Sequence, residues 1–185
     1  MRRSSFLILC LAASTAAQAD CGAEKRALVV EYISTPPLLA TEPDPSTIVQ
    51  VDASGCVIVH VPSYRVDAGD YRLQLKGLEF GQLQSELEAA NLRAIDARAL
   101  GRRLQTKSLQ RRTDAPLVAI RDENLIQFRV PATKRDRAAA LRFSGLRQAL
   151  AEHARDDELQ RLSRLHARLE AIAEQAQRGG KKVNP

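Results

Sequence analysis

The sequence predicts an α+β fold: an antiparallel meander packed by helices, then a second short hairpin and a long C-terminal amphipathic helical region. Three observations carry this. Short β-branched runs separated by turn residues fill the first half of the chain. Leucines at helical spacing fill the last third. Between them lies another pair of apolar runs, so the order is sheet, helix, hairpin, helix.

The first nineteen residues stand apart from that pattern. Arg2 and Arg3 precede the apolar run Phe6–Ala13, and small residues lead to Ala17-Gln18-Ala19. This is the layout of a cleaved secretory signal, which predicts export to the periplasm or beyond and a mature chain starting at Asp20. The run is too short for a permanent span, so no transmembrane anchor is expected. A lipid-anchored cysteine calls for a small residue just before it and an aliphatic one three before. Asp20 and Gln18 stand there, so anchoring at Cys21 is not expected. With Cys10 leaving in the signal, Cys21 and Cys56 remain, and in an oxidising compartment they are expected to pair.

The meander begins with Ala27–Ile33, which Thr35-Pro36-Pro37 ends; the loop through Glu42-Pro43-Asp44-Pro45 cannot continue a sheet. Thr47–Val51 and Cys56–Val61 flank Asp52-Ala53-Ser54-Gly55, a hairpin signal in which glycine supplies positive φ. Alternation puts Val57, Val59 and Val61 on one face, with Cys56, Ile58 and His60 on the other. Tyr71–Leu75 is the fourth strand, after the turn Asp67-Ala68-Gly69-Asp70. A helix over Glu79–Leu92 covers the sheet through Leu78, Phe80, Leu83, Leu87 and Ala90. Leu117–Ile120 and Leu125–Val130 around Asp122-Glu123-Asn124 read as the second hairpin. From Asp136 the chain reads as helical, with Leu141, Leu146 and Leu150 on one stripe; Leu162, Leu165, Leu169, Ile172 and Ala176 follow at 3-4 spacing until Gly179-Gly180. The expected organisation is a signal over 1–19, a compact domain over 20–150, an amphipathic helix over 151–178 and a flexible tail over 179–185.

Several turn and packing residues form a recognisable set. Asp52, Gly55 and Val57 make D-x-x-G-x-V, Gly69 leads a strand, Glu79, Phe80 and Leu83 make E-F-x-x-L, and Thr113, Asp114 and Pro116 make T-D-x-P. In these the chain resembles a group of exported bacterial domains of unknown function, over about residues 27–150. The Gly–Cys cluster usual near the N-terminus of that group is not evident; a proline loop follows the first strand instead. The resemblance implies a fold and an envelope address, with no activity to carry over.

Charge divides the chain. Residues 20–96 hold 12 acidic and 6 basic side chains, whereas 97–185 hold 10 acidic and 20 basic. Such asymmetry suggests that the halves dock on each other or that the basic half meets an anionic partner. Export argues against nucleic acid, and the six aromatics that remain once Phe6 leaves with the signal, with no tryptophan, supply no stacking platform for bases or sugars. The basic character concentrates in Arg98, Arg102, Arg103, Lys107, Arg111 and Arg112, a strip without one acid. Like charges one helical turn apart repel by a few tenths of a kcal/mol each, so the strip is the candidate site for an anionic partner, its alternative being a solvated linker.

Catalytic signatures are thin. G-x-S-x-G and the Gly-rich phosphate loop are absent from the sequence, as is H-E-x-x-H. His60 reads as a satisfied strand histidine. The spacings His153–Asp157 and His166–Glu170 suit a metal or an ordinary surface pair, and neither metal nor cofactor is expected. The sequence therefore predicts a non-enzymatic envelope protein that binds an envelope protein or anionic polymer through the basic strip or the C-terminal helix. That helix could also form a homodimer seam. Two alternatives stand beside it: a small hydrolase using His60 or a carboxylate, and a protease inhibitor inserting the loop Pro36–Pro45.

Overall fold

A computed structural model describes Cys21 and residues 27–111 and 123–183, without side chains for 105–111. Residues 1–19, Arg112, the T-D-x-P residues and residues 117–120 lie outside the described residues. Among the described residues, seven strands form one antiparallel sheet. They are β1 (Leu28–Thr35), β2 (Thr47–Asp52), β3 (Cys56–Val61), β4 (Gly69–Gln74), β5 (Leu125–Val130), β6 (Ala139–Ser144) and β7 (Lys181–Val183), in the order β6-β5-β1-β2-β3-β4-β7. The helices are α1 (Gly77–Ala90), α2 (Ala97–Arg111), α3 (Leu146–Glu152) and α4 (Asp157–Gly179).

The first four strands pair in meander order, as their alternation and turns require. Between β2 and β3, Asp52 Oδ1 accepts from the backbone N–H of Ser54 at 2.7 Å and of Cys56 at 3.1 Å, and Gly55 takes φ 78°. Side chains on one sheet face are buried: Tyr32 lies opposite Val49 and Phe128, and Val49 opposite Val59. The alternation predicted for β3 holds, since Val57, Val59 and Val61 are buried while Ile58 is 38% exposed. On the open face Glu31 accepts from Gln50 and from Arg129, each at 2.9 Å, a cross-strand pairing suited to solvent.

Helices cover the other face. In α1, Glu79 reaches back to the Lys76 N–H at 3.0 Å, half of a capping arrangement, and Asn91 ends the helix in the left-handed region. Leu83 and Ala90 point inward, but Leu78, assigned to the same stripe from its spacing, lies in the first turn of α1 and is 85% exposed. Asp156 caps α4 by accepting from Leu159 N at 3.2 Å. The α4 stripe Leu162, Leu165, Leu169, Ile172 and Ala176 is buried in the same core as the sheet valines. The surface considered for a dimer seam thus faces the chain's own sheet.

Two elements differ from the sequence expectation. The stretch read as helix from Asp136 contains β6, with Leu141 buried between the exposed Ala140 and Arg142, a period of two. Leu141 belongs to this strand, and Leu146 and Leu150 to α3, so their shared stripe was a coincidence of spacing. The hairpin partner of β5 is β6, and the other edge of β5 is taken by β1; the expected partner Leu117–Ile120 lies outside the described residues. The tail, expected to be loose, supplies β7, whose Lys182 stands opposite Tyr71 with its ammonium 5.7 Å from the ring centroid.

Candidate functional site

Cys21 and Cys56 are joined in a disulfide with Cα atoms 5.4 Å apart. The bridge closes a separation of 35 residues and ties the N-terminal segment to the first residue of β3, where the Arg72 guanidinium also donates to the Cys21 carbonyl at 3.4 Å. Loop-closure entropy gives it about 3–4 kcal/mol.

The basic strip becomes most of α2. Asp96 Oδ1 accepts from the N–H groups of Arg98 at 2.9 Å and Ala99 at 3.0 Å and so starts the helix. Leu100, 1% exposed, inserts into the core. Arg103 then reaches α4, donating to Glu158 at 2.6 Å and to Asp156 at 3.3 Å. The helix is docked, not a solvated linker. Arg98 and Arg102 are exposed, one turn apart. Arg103 has its anionic partner inside the chain, supplied by the basic half and not by the acidic one. Lys107 and Arg111 continue the helix without described side chains, and Arg112 lies beyond the described residues.

His60, expected to be a satisfied strand histidine with a hydrolase role as its alternative, is the centre of a three-residue arrangement. Its Nδ1 lies 2.7 Å from Asp70 Oδ1 on β4, and its Nε2 lies 2.8 Å from Asp44 Oδ1 in the loop between β1 and β2. The second oxygen of Asp44 accepts from Ser63 N at 2.8 Å. Partial burial disfavours charge on the imidazole, but the hydrogen bonds and charges of the two aspartates outweigh it and raise its pKa. The bond to His60 correspondingly lowers that of Asp44. Sequence gave no signal for the contact, since Asp44 is 16 positions away in a loop. While both nitrogens donate to the aspartates, the ring is an imidazolium without a free lone pair.

The other histidine pair is buried. Tyr32 hydroxyl and His166 Nδ1 are 2.9 Å apart, and His166 Nε2 faces Glu170 at 3.4 Å. Burial lowers the His166 pKa and raises that of Tyr32, so a protonated phenol donates to a neutral imidazole. His153 is 5% exposed on α3's C-terminal flank. Among the described residues, no three His, Cys, Asp or Glu side chains converge as a metal site, and no helix is long and apolar enough to cross a membrane.

In the proline loop Pro37–Leu39 forms a 3-10 turn, and Thr35 and Ser46 hydroxyls share a 2.7 Å hydrogen bond at the loop's base.

A shallow groove of about 200 Å³ lies where α1 ends against the sheet, lined by Val29, Leu87, Leu92 and Val130 with Glu88, Asn91 and Arg93. Arg93 is held there by the carbonyls of Pro131 at 2.7 Å and Arg137 at 3.0 Å. No protein-family model, curated protein or solved structure matches the chain.

Proposed function

We propose that this is an exported, non-enzymatic protein of the cell envelope that binds an anionic envelope component through the outward arginines of α2. The observation that supports it is the anchoring of that helix. Leu100 in the core and Arg103 on Glu158 and Asp156 fix α2, so Arg98 and Arg102 are presented from a rigid support. Rigid presentation lowers the ordering cost of binding. The signal-like leader and the cysteine bridge support an oxidising compartment, and the turn roles of Asp52, Gly55 and Glu79 fit the resemblance to exported domains.

The test measures binding of the mature protein to an anionic polysaccharide as salt is raised. Binding should weaken with salt and drop at least about tenfold when Arg98→Gln and Arg102→Gln are combined, with the circular dichroism spectrum unchanged. Equal binding by the double variant sinks the assignment to α2. Turnover of an envelope substrate that one substitution abolishes sinks the non-enzymatic reading.

A further inference from the structure

Between β1 and β2 the chain makes a loop over residues 36–46, and between β3 and β4 another over residues 62–68. Both emerge at the same end of the sheet, because Ile48 at the start of β2 is opposite His60 near the end of β3, and His60 is opposite Asp70 at the start of β4. Among the described residues, the hydrogen bonds joining the first loop to β3 and the segment after it come from one carboxylate, that of Asp44. Pro43 and Pro45 flank Asp44, restricting the backbone on both sides.

The contact has a strict proton requirement. Ionised Asp44 and Asp70 only accept hydrogen bonds, so each short contact needs an N–H on the histidine side. An imidazolium has two such groups and a neutral imidazole has one. In the neutral form, a ring lone pair would face a carboxylate oxygen at under 3 Å.

We propose that His60 is a proton-operated latch, which as an imidazolium holds the proline loop through Asp44 and as a neutral ring lets that loop go. Asp44 is the partner that leaves. Asp70 is fixed opposite His60 by the β3–β4 register, whereas Asp44 stands in a loop. The proton is lost from Nε2 to solvent, which reaches the site because the His60 and Asp44 side chains are 36% and 35% exposed.

The surrounding charges leave control with these three residues. Across β2, the neighbour is uncharged Ile48. Further along the same sheet face come Arg72 on β4 and, paired with it, Lys181 on β7, two residues beyond the Asp70 and Val183 pair. In the turn after β3, Arg65 is engaged with Asp67 at 3.1 Å. Lys182 lies on the opposite face, over Tyr71. Release would free the 3-10 turn that carries Leu38, 89% exposed, from the segment carrying Tyr64 and Val66, 49% and 108% exposed. The relation between these apolar tips would then follow pH.

Ser63 reports the latch directly, since its amide donates to Asp44. Its hydrogen-exchange protection factor, corrected for intrinsic exchange, is measured by NMR from about pH 5 to 9 alongside the His60 ring signals. Protection should fall about tenfold or more in step with His60 deprotonation, while Val59 and Tyr71 amides stay protected. In Asp44→Ala and His60→Ala, where no side chain bridges the loop to β3, the Ser63 amide should be unprotected and insensitive to pH over that range. Constant Ser63 protection through the His60 titration overturns the latch. So does simultaneous loss at Val59 and Tyr71, which signals unfolding of the sheet. The wild-type titration decides the matter even if a variant fails to fold.

Discussion

Tyr32 on β1 and His166 on α4, 134 positions apart, share a buried 2.9 Å hydrogen bond that joins the sheet to the helix above it. Their rings also meet at 5.7 Å, and Phe128 tilts against Tyr32 at 5.6 Å. Removing the hydroxyl with Tyr32→Phe leaves the Nδ1 acceptor buried without its donor. Unfolding free energy should drop by about 1–3 kcal/mol in urea titration. An unchanged midpoint would mean that water or another donor replaces the phenol.

The same pair gives a pH dependence of defined sign. His166 is harder to protonate folded than unfolded, so below about pH 6.5 the unfolded chain binds more protons and stability falls with pH. His60 acts oppositely: its raised folded pKa gives stability that is present below about pH 6.5 and lost as pH rises through the folded value. His166→Gln should flatten the acidic limb of a stability–pH curve, and His60→Gln the limb above it. Interchanged effects would contradict both assignments.

Reduction tests the bridge. Cys21→Ala with Cys56→Ala should lose about 3–4 kcal/mol, and reductant should affect the wild type but not the double variant.

Arg103 is a structural residue before it is a ligand-binding one. A double-mutant cycle of Arg103→Gln and Glu158→Gln should give a coupling of about 0.5–1 kcal/mol that shrinks in high salt, because the arginine is partly solvated. Zero coupling at low salt would remove the clamp between α2 and α4.

Gly180 tests the turn into β7. A Cβ there would press on the carbonyls of Ala176 and Arg72, the latter at 2.8 Å, and backbone cannot swing aside as a side chain can. Gly180→Ala should therefore unpair Lys181–Val183 from β4, read as faster amide exchange at the β4 edge. Unchanged exchange there would show that the turn accommodates a methyl group.

The α+β class, the four-strand meander, the cysteine pair and the long last helix were legible in the order of residues alone. Each follows from short-range periodicity, from turn chemistry as at Asp52 and Gly55, or, for the pair Cys21 and Cys56, from setting Cys10 aside in the expected leader. Tertiary structure decided the rest. Ala139–Ser144 became a strand because the free edge of β5 needed a partner, which local spacing around Leu141 could not reveal. Asp44 met His60, and Arg103 met Asp156 and Glu158, across 16, 53 and 55 positions. Short-range periodicity registers which face a side chain takes; which distant loop or helix end meets that face is set only when the sheet and helices bury their apolar sides together.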